Sequence, residues 1–308
     1  MPPYSSSPSL TVAANLKQPI RISRDLASLA TKRFIADKVF TRGTPDQVAG
    51  GSMVYEKSES IYLDRDVEEI AERGSWPRTG WSEALYTELV HQYGLEVPIS
   101  NLAIRRNQRD QFVRGQLKLA NMLVKFVDTK AMSLLTTVVG GVQTLSASAV
   151  WTTVGTKIAS DIAAAQEMID ILDEGLVADT LILNPRRRDD LINNDQLAAR
   201  LPREAGATAI TTGEQAPFMG LRQILYTNQI AQTTAVLMAS NLAGTIADER
   251  PDPEEGFQAY QPAGGDFAPI WVKVYDDHSP KDKIVAAGRW PAMALVEPRA
   301  VVVITGVS

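Results

Sequence analysis

The sequence predicts an α+β protein. Three observations carry this: a very long apolar stripe at helical spacing, an apolar run that ends on Asn-Pro and a basic-acidic segment, and a C-terminal part that returns to β-forming stretches. The stripe consists of Val113, Leu117, Ala120, Val124, Val127, Ala131, Leu134 and Val138, in alternating steps of four and three. Leu119, Leu123 and Phe126 widen it on one side. Arg114, Lys118, Asn121, Lys125 and Asp128 repeat the spacing one residue on, as a polar stripe. Begun near Ser100 and ended near Gly140, this helix runs about 55 Å. Few compact enzymes need one so long.

The elements around it follow in order. Residues 1–20 begin with Pro, Ser and Thr and read as an extended arm with little core of its own, and a short basic, part-helical patch continues to residue 45. Residues 52–73, SMVYEKSESIYLDRDVEEIAER, mix β-formers with dense charge, which suits a ribbon exposed on both faces. From Glu56 to Arg73 the ribbon carries seven acids and three bases, a local charge of −4. Between Arg105 and Lys130 the long helix carries seven bases and two acids, or +5, and a solvated face would account for these bases equally well. A second amphipathic helix spans about 156–174, with Ile158, Ile162, Ala165, Ile169 and Leu172 inward and Gly175 as its C-cap. TLILN is a strand ended by Asn184. Pro185 then sits where a missing N–H costs nothing, and RRRDDLINN continues as a short helix. Its arginines face water or a neighbouring molecule. Residues 202–217 read as a mobile loop, and ADERPDPEEG as an acidic hinge. GLRQILYTNQI, TAVLMAS, APIWVKVYDD and RWPAMALVEPRAVVVITG are strand-forming.

Composition excludes several function classes. The 308 residues are 44% hydrophobic and 22% charged, an ordinary globular balance that supports a sizeable core. A net charge of −5 does not suit a protein that coats nucleic acid. No apolar run reaches transmembrane length, so no membrane partner is expected, and the N-terminus does not read as a signal peptide. With no cysteine, disulfides, thiolate catalysis and cysteine metal sites are excluded together.

The chemical census is nearly empty. The two histidines, His91 and His278, form no zinc motif. His278 lies beside Asp276, Asp277 and Ser279, but adjacent residues rarely face one another, and Asp-His-Ser-Pro is good turn chemistry. His91 reads as a residue near a helix end. No glycine pattern cradles a phosphate, and the carboxylate neighbours Glu68-Glu69 and Asp189-Asp190 read as solvated faces. No catalytic, cofactor-binding or metal residue is assigned, and no cofactor is expected.

The order of arm, charged ribbon, long helix, strand–Asn-Pro–helix joint and terminal strands resembles the major capsid proteins of tailed bacteriophages, the Hong Kong 97-like fold. The likeness rests on IAERGSWP, with Glu72, Gly74 and Pro77; on Pro98 to Leu135 as the spine helix; on LILNPRRRDDL and GLRQILYTNQI; and on WVKVYDD. It implies an N-terminal arm and short helix over 1–45, an extended loop over 46–85, a peripheral domain with the spine helix over 86–150, an axial domain over 151–255, and return strands over 256–308. The function implied is a structural subunit, not an enzyme, that builds hexamers and pentamers of an icosahedral shell around double-stranded DNA. The alternatives are an encapsulin-like compartment shell and a soluble α/β enzyme.

The resemblance further implies that the chain's main partner is itself. Its place is the virion, assembled in the host cytoplasm, and its contact with DNA is weak and non-specific. Some members carry a scaffolding extension before the arm. This chain begins almost at the arm, so the resemblance implies separate scaffolding, or prior trimming, with portal and decoration proteins as further partners. Lys57, the one lysine of the ribbon, is the candidate where members cross-link subunits. Glu68, Glu69 and Glu72 on the ribbon, and Arg105, Arg109, Arg114 and Lys118 on the helix, are the candidate inter-subunit residues. Arm and ribbon are expected to gain order against neighbouring subunits.

Overall fold

A computed structural model describes residues 11–30, 33–43, 48–57, 69–70, 76, 78, 85–137, 142–153, 155–194, 218–240, 242–260, 270–277 and 282–308. The described residues begin with three helices, α1 (Val12–Leu16), α2 (Pro19–Ala30) and α3 (Ala36–Val39), then β1 (Thr41–Arg42), β2 (Val48–Ala49) and β3 (Ser52–Glu56). Next come β4 (Leu85–Leu89), β5 (Tyr93–Ser100), α4 (Asn101–Arg105), α5 (Arg109–Thr136), β6 (Gln143–Ser146) and α6 (Ile158–Asp170). The remainder is β7 (Thr180–Leu183), α7 (Arg188–Ile192), β8 (Gln223–Tyr226), β9 (Thr234–Met238), β10 (Gly244–Asp248), β11 (Trp271–Asp277), β12 (Asp282–Arg289), β13 (Pro291–Leu295) and β14 (Val301–Thr305). Helix and strand are mixed as an α+β fold requires.

The start of the chain is the first departure from the sequence reading. Residues 12–20, expected in an extended arm, are largely helical: Thr11 caps α1 by accepting the Ala14 N–H, and Val12 and Leu16 are buried. Ile22, Leu26 and Ala30 of α2 join the same core. Polar composition hid an apolar set at helical spacing.

The long helix is real but interrupted. Asn107 takes a left-handed backbone, φ 50°, which separates α4 from α5. Its Oδ1 accepts the Val12 N–H, so the break anchors the first helix of the chain. The 28 residues of α5 then span about 42 Å. The buried face is rotated from the predicted stripe: it comprises Phe112, Gln116, Leu119, Ala120, Leu123, Val127, Asp128, Ala131, Met132 and Leu135, whereas Val113 is 37% exposed. Asp128 thus belongs inside. Helix α6 ends at Asp170, four residues short of the expected end, and Gly175 lies beyond its cap with φ +69°.

Strands β6-β14-β9-β7-β8 form a five-stranded mixed sheet. Its residues alternate between two cores. Leu181, Leu183, Leu237, Val302 and Ile304 pack on Ile158, Ile162 and Ile169 of α6. Ile182, Val236, Val301 and Val303 turn to the core shared with α5. Burial on both faces explains the uninterrupted apolar runs of TLIL and VVVI. The strand read from GLRQILYTNQI is β8, and β7 lies between it and β9. A three-stranded antiparallel sheet, β11-β12-β5, packs against α5 and α2, and β1-β10-β13 forms a small mixed sheet in which β1 runs parallel to β10. Gly288 is required where β12 pairs with β5 opposite Gly94, since a Cβ there would lie 2.7 Å from the Tyr93 carbonyl oxygen.

The root of the ribbon is the sheet β2-β3-β4. It is not exposed on both faces, because Met53 is buried against Ala247, Ala292 and Ala294. Val54, Leu85 and Leu89 face out. The predicted acidic hinge is likewise corrected at its start, where Ala247 and Asp248 are buried strand residues. The predicted mobile loop, 202–217, lies outside the described residues.

Candidate assembly surface

Two surfaces present the residues selected from sequence. On the outer face of the helices, Arg105, Arg106, Arg114, Lys118, Lys125 and Lys130 are exposed and Arg109 is half-buried. With Asp128 turned inward, Asp110 is the one acid left on the surface of residues 105–130, which makes it more basic than the sequence count implied. Phe126 and Met122, on the same helix, are 39% and 49% exposed. The Tyr93 ring stands 4.5 Å from that of Phe126, and the Lys130 ammonium lies 5.7 Å from the Phe126 centroid.

The ribbon root provides the other surface. Tyr55 and Tyr86 stack across β3 and β4 at 5.9 Å. Lys57 is half-buried, its ammonium 5.9 Å from the Tyr86 ring, a position unlike a freely solvated charge. Glu69 is exposed, while Glu68 and Glu72 lie outside the described residues. Between root, α5 and β13 runs a groove of about 550 Å³, lined by Tyr55, Lys57, Tyr86, His91, Tyr93 and Lys130 among others. His91 lies between two strands and not near a helix end as read from sequence, because ELVHQYG spans the β4–β5 connection. His278 and Ser279 lie outside the described residues.

The opening of α7 keeps the expected joint geometry. Asn184 accepts the Arg186 N–H through Oδ1 and donates from Nδ2 to the Ile230 carbonyl. One arginine departs from the sequence reading: Arg187 is buried and pairs with Asp190 at 2.8 Å, so this acid is not simply a solvated one.

Sequence reasoning missed the main buried charge cluster. Arg289, fully buried, donates through Nε to Asp248 Oδ1 at 2.7 Å and through Nη2 to Oδ2 at 2.9 Å. It also donates twice to Asp37, at 2.7 and 3.1 Å. Burial opposes the charge of Arg289, but Asp248 and Asp37 hold it firmly protonated. For Asp37, burial works upward, yet Arg289 and Arg42 keep its carboxyl below the usual range. The signal was present in VAAGRWPAMA, a single arginine inside an apolar run.

Among the described residues no cluster of His, Asp or Glu could hold a metal ion, and no helix is long and apolar enough to cross a membrane. The fold has counterparts among solved structures. It is similar to the capsid of Cyanophage P-SCSP1u (12% identity, TM-score 0.60, covering 87% of this chain and 86% of that one). It is also similar to a Mycobacterium phage Che8 structure (14%, 0.58, 96% and 91%) and to a virus-like particle from Pyrococcus furiosus (13%, 0.58, 93% and 99%). These likenesses establish the fold, the Hong Kong 97-like one expected from sequence. No curated protein sequence matches the chain. Residues 86–304 match the phage capsid protein family, and the chain belongs to that family. It is a major capsid protein, a structural subunit that assembles with its own copies into the virion shell.

Proposed function

We propose that this subunit forms hexamers and pentamers of an icosahedral shell around double-stranded DNA, assembled in the host cytoplasm. Separate scaffolding, portal and decoration proteins are its further partners, and its role is purely structural. The observation that carries this reading is the family match over 86–304. A virion family favours a shell around a genome over a cargo compartment. Support also comes from apolar side chains that the subunit leaves uncovered, Val54, Leu85, Leu89 and Met122, which neighbouring copies would bury.

In this reading the acidic ribbon of one subunit lies on the basic helix of the next. Glu68, Glu69 and Glu72 supply the negative side; Arg105, Arg109, Arg114 and Lys118 supply the positive side. Each exposed pair contributes little, but the contact repeats around a closed shell, and complementary charge sets orientation and encounter rate. Replacing all three glutamates by lysine is predicted to slow or block assembly at low salt, with the subunit still folded. Light scattering at low and high salt measures this. Unchanged low-salt kinetics would show that the ribbon docks by shape or backbone pairing.

A further inference from the structure

Asp128 has no part in the assembly surface, yet it sits at a structural joint. It projects from the C-terminal half of α5 into the turn that begins α3 and is 4% exposed. Its Oδ1 accepts the backbone N–H groups of Ile35 and Ala36, both at 3.0 Å. Since both bonds fall on Oδ1, a proton on Oδ2 leaves them intact.

Two charges act on it directly, Asp37 of α3 and Arg289 of β12. These are tied in turn to Arg42 of β1 and Asp248 of β10. Lys125 and Lys130 of α5 and Lys38 of α3 are exposed, and Arg33, also exposed, donates to Asn121. With Asp128 neutral, Asp37 and Asp248 balance Arg289 and Arg42. With Asp128 ionised, the linked cluster holds three carboxylates against two guanidiniums, one of which, Arg42, is partly exposed to solvent.

We propose that Asp128 is a proton-controlled latch between the α3 segment and the spine helix, closed when the carboxyl is protonated and loosened when it ionises. Burial, reinforced by Asp37 and opposed by the two N–H bonds and Arg289, lifts its pKa to about 6. A carboxyl with a raised folded-state pKa stabilises the fold most below its unfolded value of 3.8. That contribution fades as pH rises through about 6 and is gone above it. Acidification therefore tightens the joint between the chain's first helices and the element on which the subunit is built.

The test compares the purified full-length chain with Asp128→Asn, which retains the Oδ1 acceptor and cannot ionise. In the parent, the folded-to-unfolded ratio from urea titrations is expected to fall by roughly 100-fold between pH 4 and pH 7.5 from this group. In Asp128→Asn that portion of the slope disappears, and the variant is at least as stable as the parent at pH 7.5. Asp128→Ala, which loses the acceptor, is less stable than Asp128→Asn at both pH values. Hydrogen exchange at Ile35 and Ala36 locates the effect, with faster exchange in the parent at pH 7.5 than in Asp128→Asn. An unchanged pH slope in Asp128→Asn overturns the proposal. So does a variant that unfolds more readily than the parent at pH 7.5, because the ionised carboxylate would then be the form that holds the joint.

Discussion

Arg289 illustrates what a single residue does in this fold. It lies at the end of β12, and four of its five N–H donors tie that strand to β10 through Asp248 and to α3 through Asp37. The Phe34 ring, 4.8 Å from the guanidinium carbon, covers it from the α3 side. Such a cluster is costly to desolvate, and its value lies in positioning; breaking it on one side is worse than never having built it. Asp248→Ala leaves the guanidinium with Asp37, which is partly exposed, as its one carboxylate partner in the cluster. We predict a loss of about 3–5 kcal/mol, read from the urea midpoint, with the m-value unchanged. A loss below about 1 kcal/mol would mean that water or Asp37 compensates. Residue-scale features were only partly legible. Asn184 and Pro185 declared their turn because turn chemistry is local. Asp128 misled because it shares the spacing of the lysines around it. Its neighbours Val124, Ala131 and Met132 lie one turn away on either side and place the position facing inward, a pattern the spacing alone did not separate from the polar stripe.

At the scale of elements, legibility followed periodicity. Helix α6 and the strands TLIL and VVVI were readable because their apolar patterns match one regular period or a continuous buried run. The spine helix was readable in existence and not in continuity, because one left-handed Asn carries no apolar signal. Strands β10 and β12 were missed: TIAD and KIVAAGR are made largely of small residues, whose burial depends on neighbours distant in sequence. The helix surface also carries a prediction. Arg105 and Arg106 are exposed, Arg109 half so, and together they form a cationic end to the spine. If that end faces the genome, the contact is weak and non-specific. Changing all three to glutamine is predicted to reduce the salt dependence of DNA binding by about one unit of log–log slope per lost phosphate contact. A tight footprint on one sequence at physiological salt would contradict this and imply base readout.

The whole molecule is organised around what it leaves open. Two cores and their sheets are complete within one chain, and they fix the spine helix against the five-stranded sheet on one side and β11-β12-β5 on the other. Outside them stand a ribbon root with an apolar outer face and a basic helix surface, features a lone soluble subunit has little use for. The general class was legible in the sequence because the order of elements and the emptiness of the chemical census pointed the same way. The proposal of which surfaces meet in a shell rests on charge alone, since contact between copies leaves no periodic trace in one chain. The central claim is that this chain closes into shells with its own copies. Negative-stain electron microscopy of the purified protein tests it most directly, across a range of protein and salt concentrations. The account predicts rings of five or six subunits and closed icosahedral particles; a field of discrete monomers under every condition would contradict it.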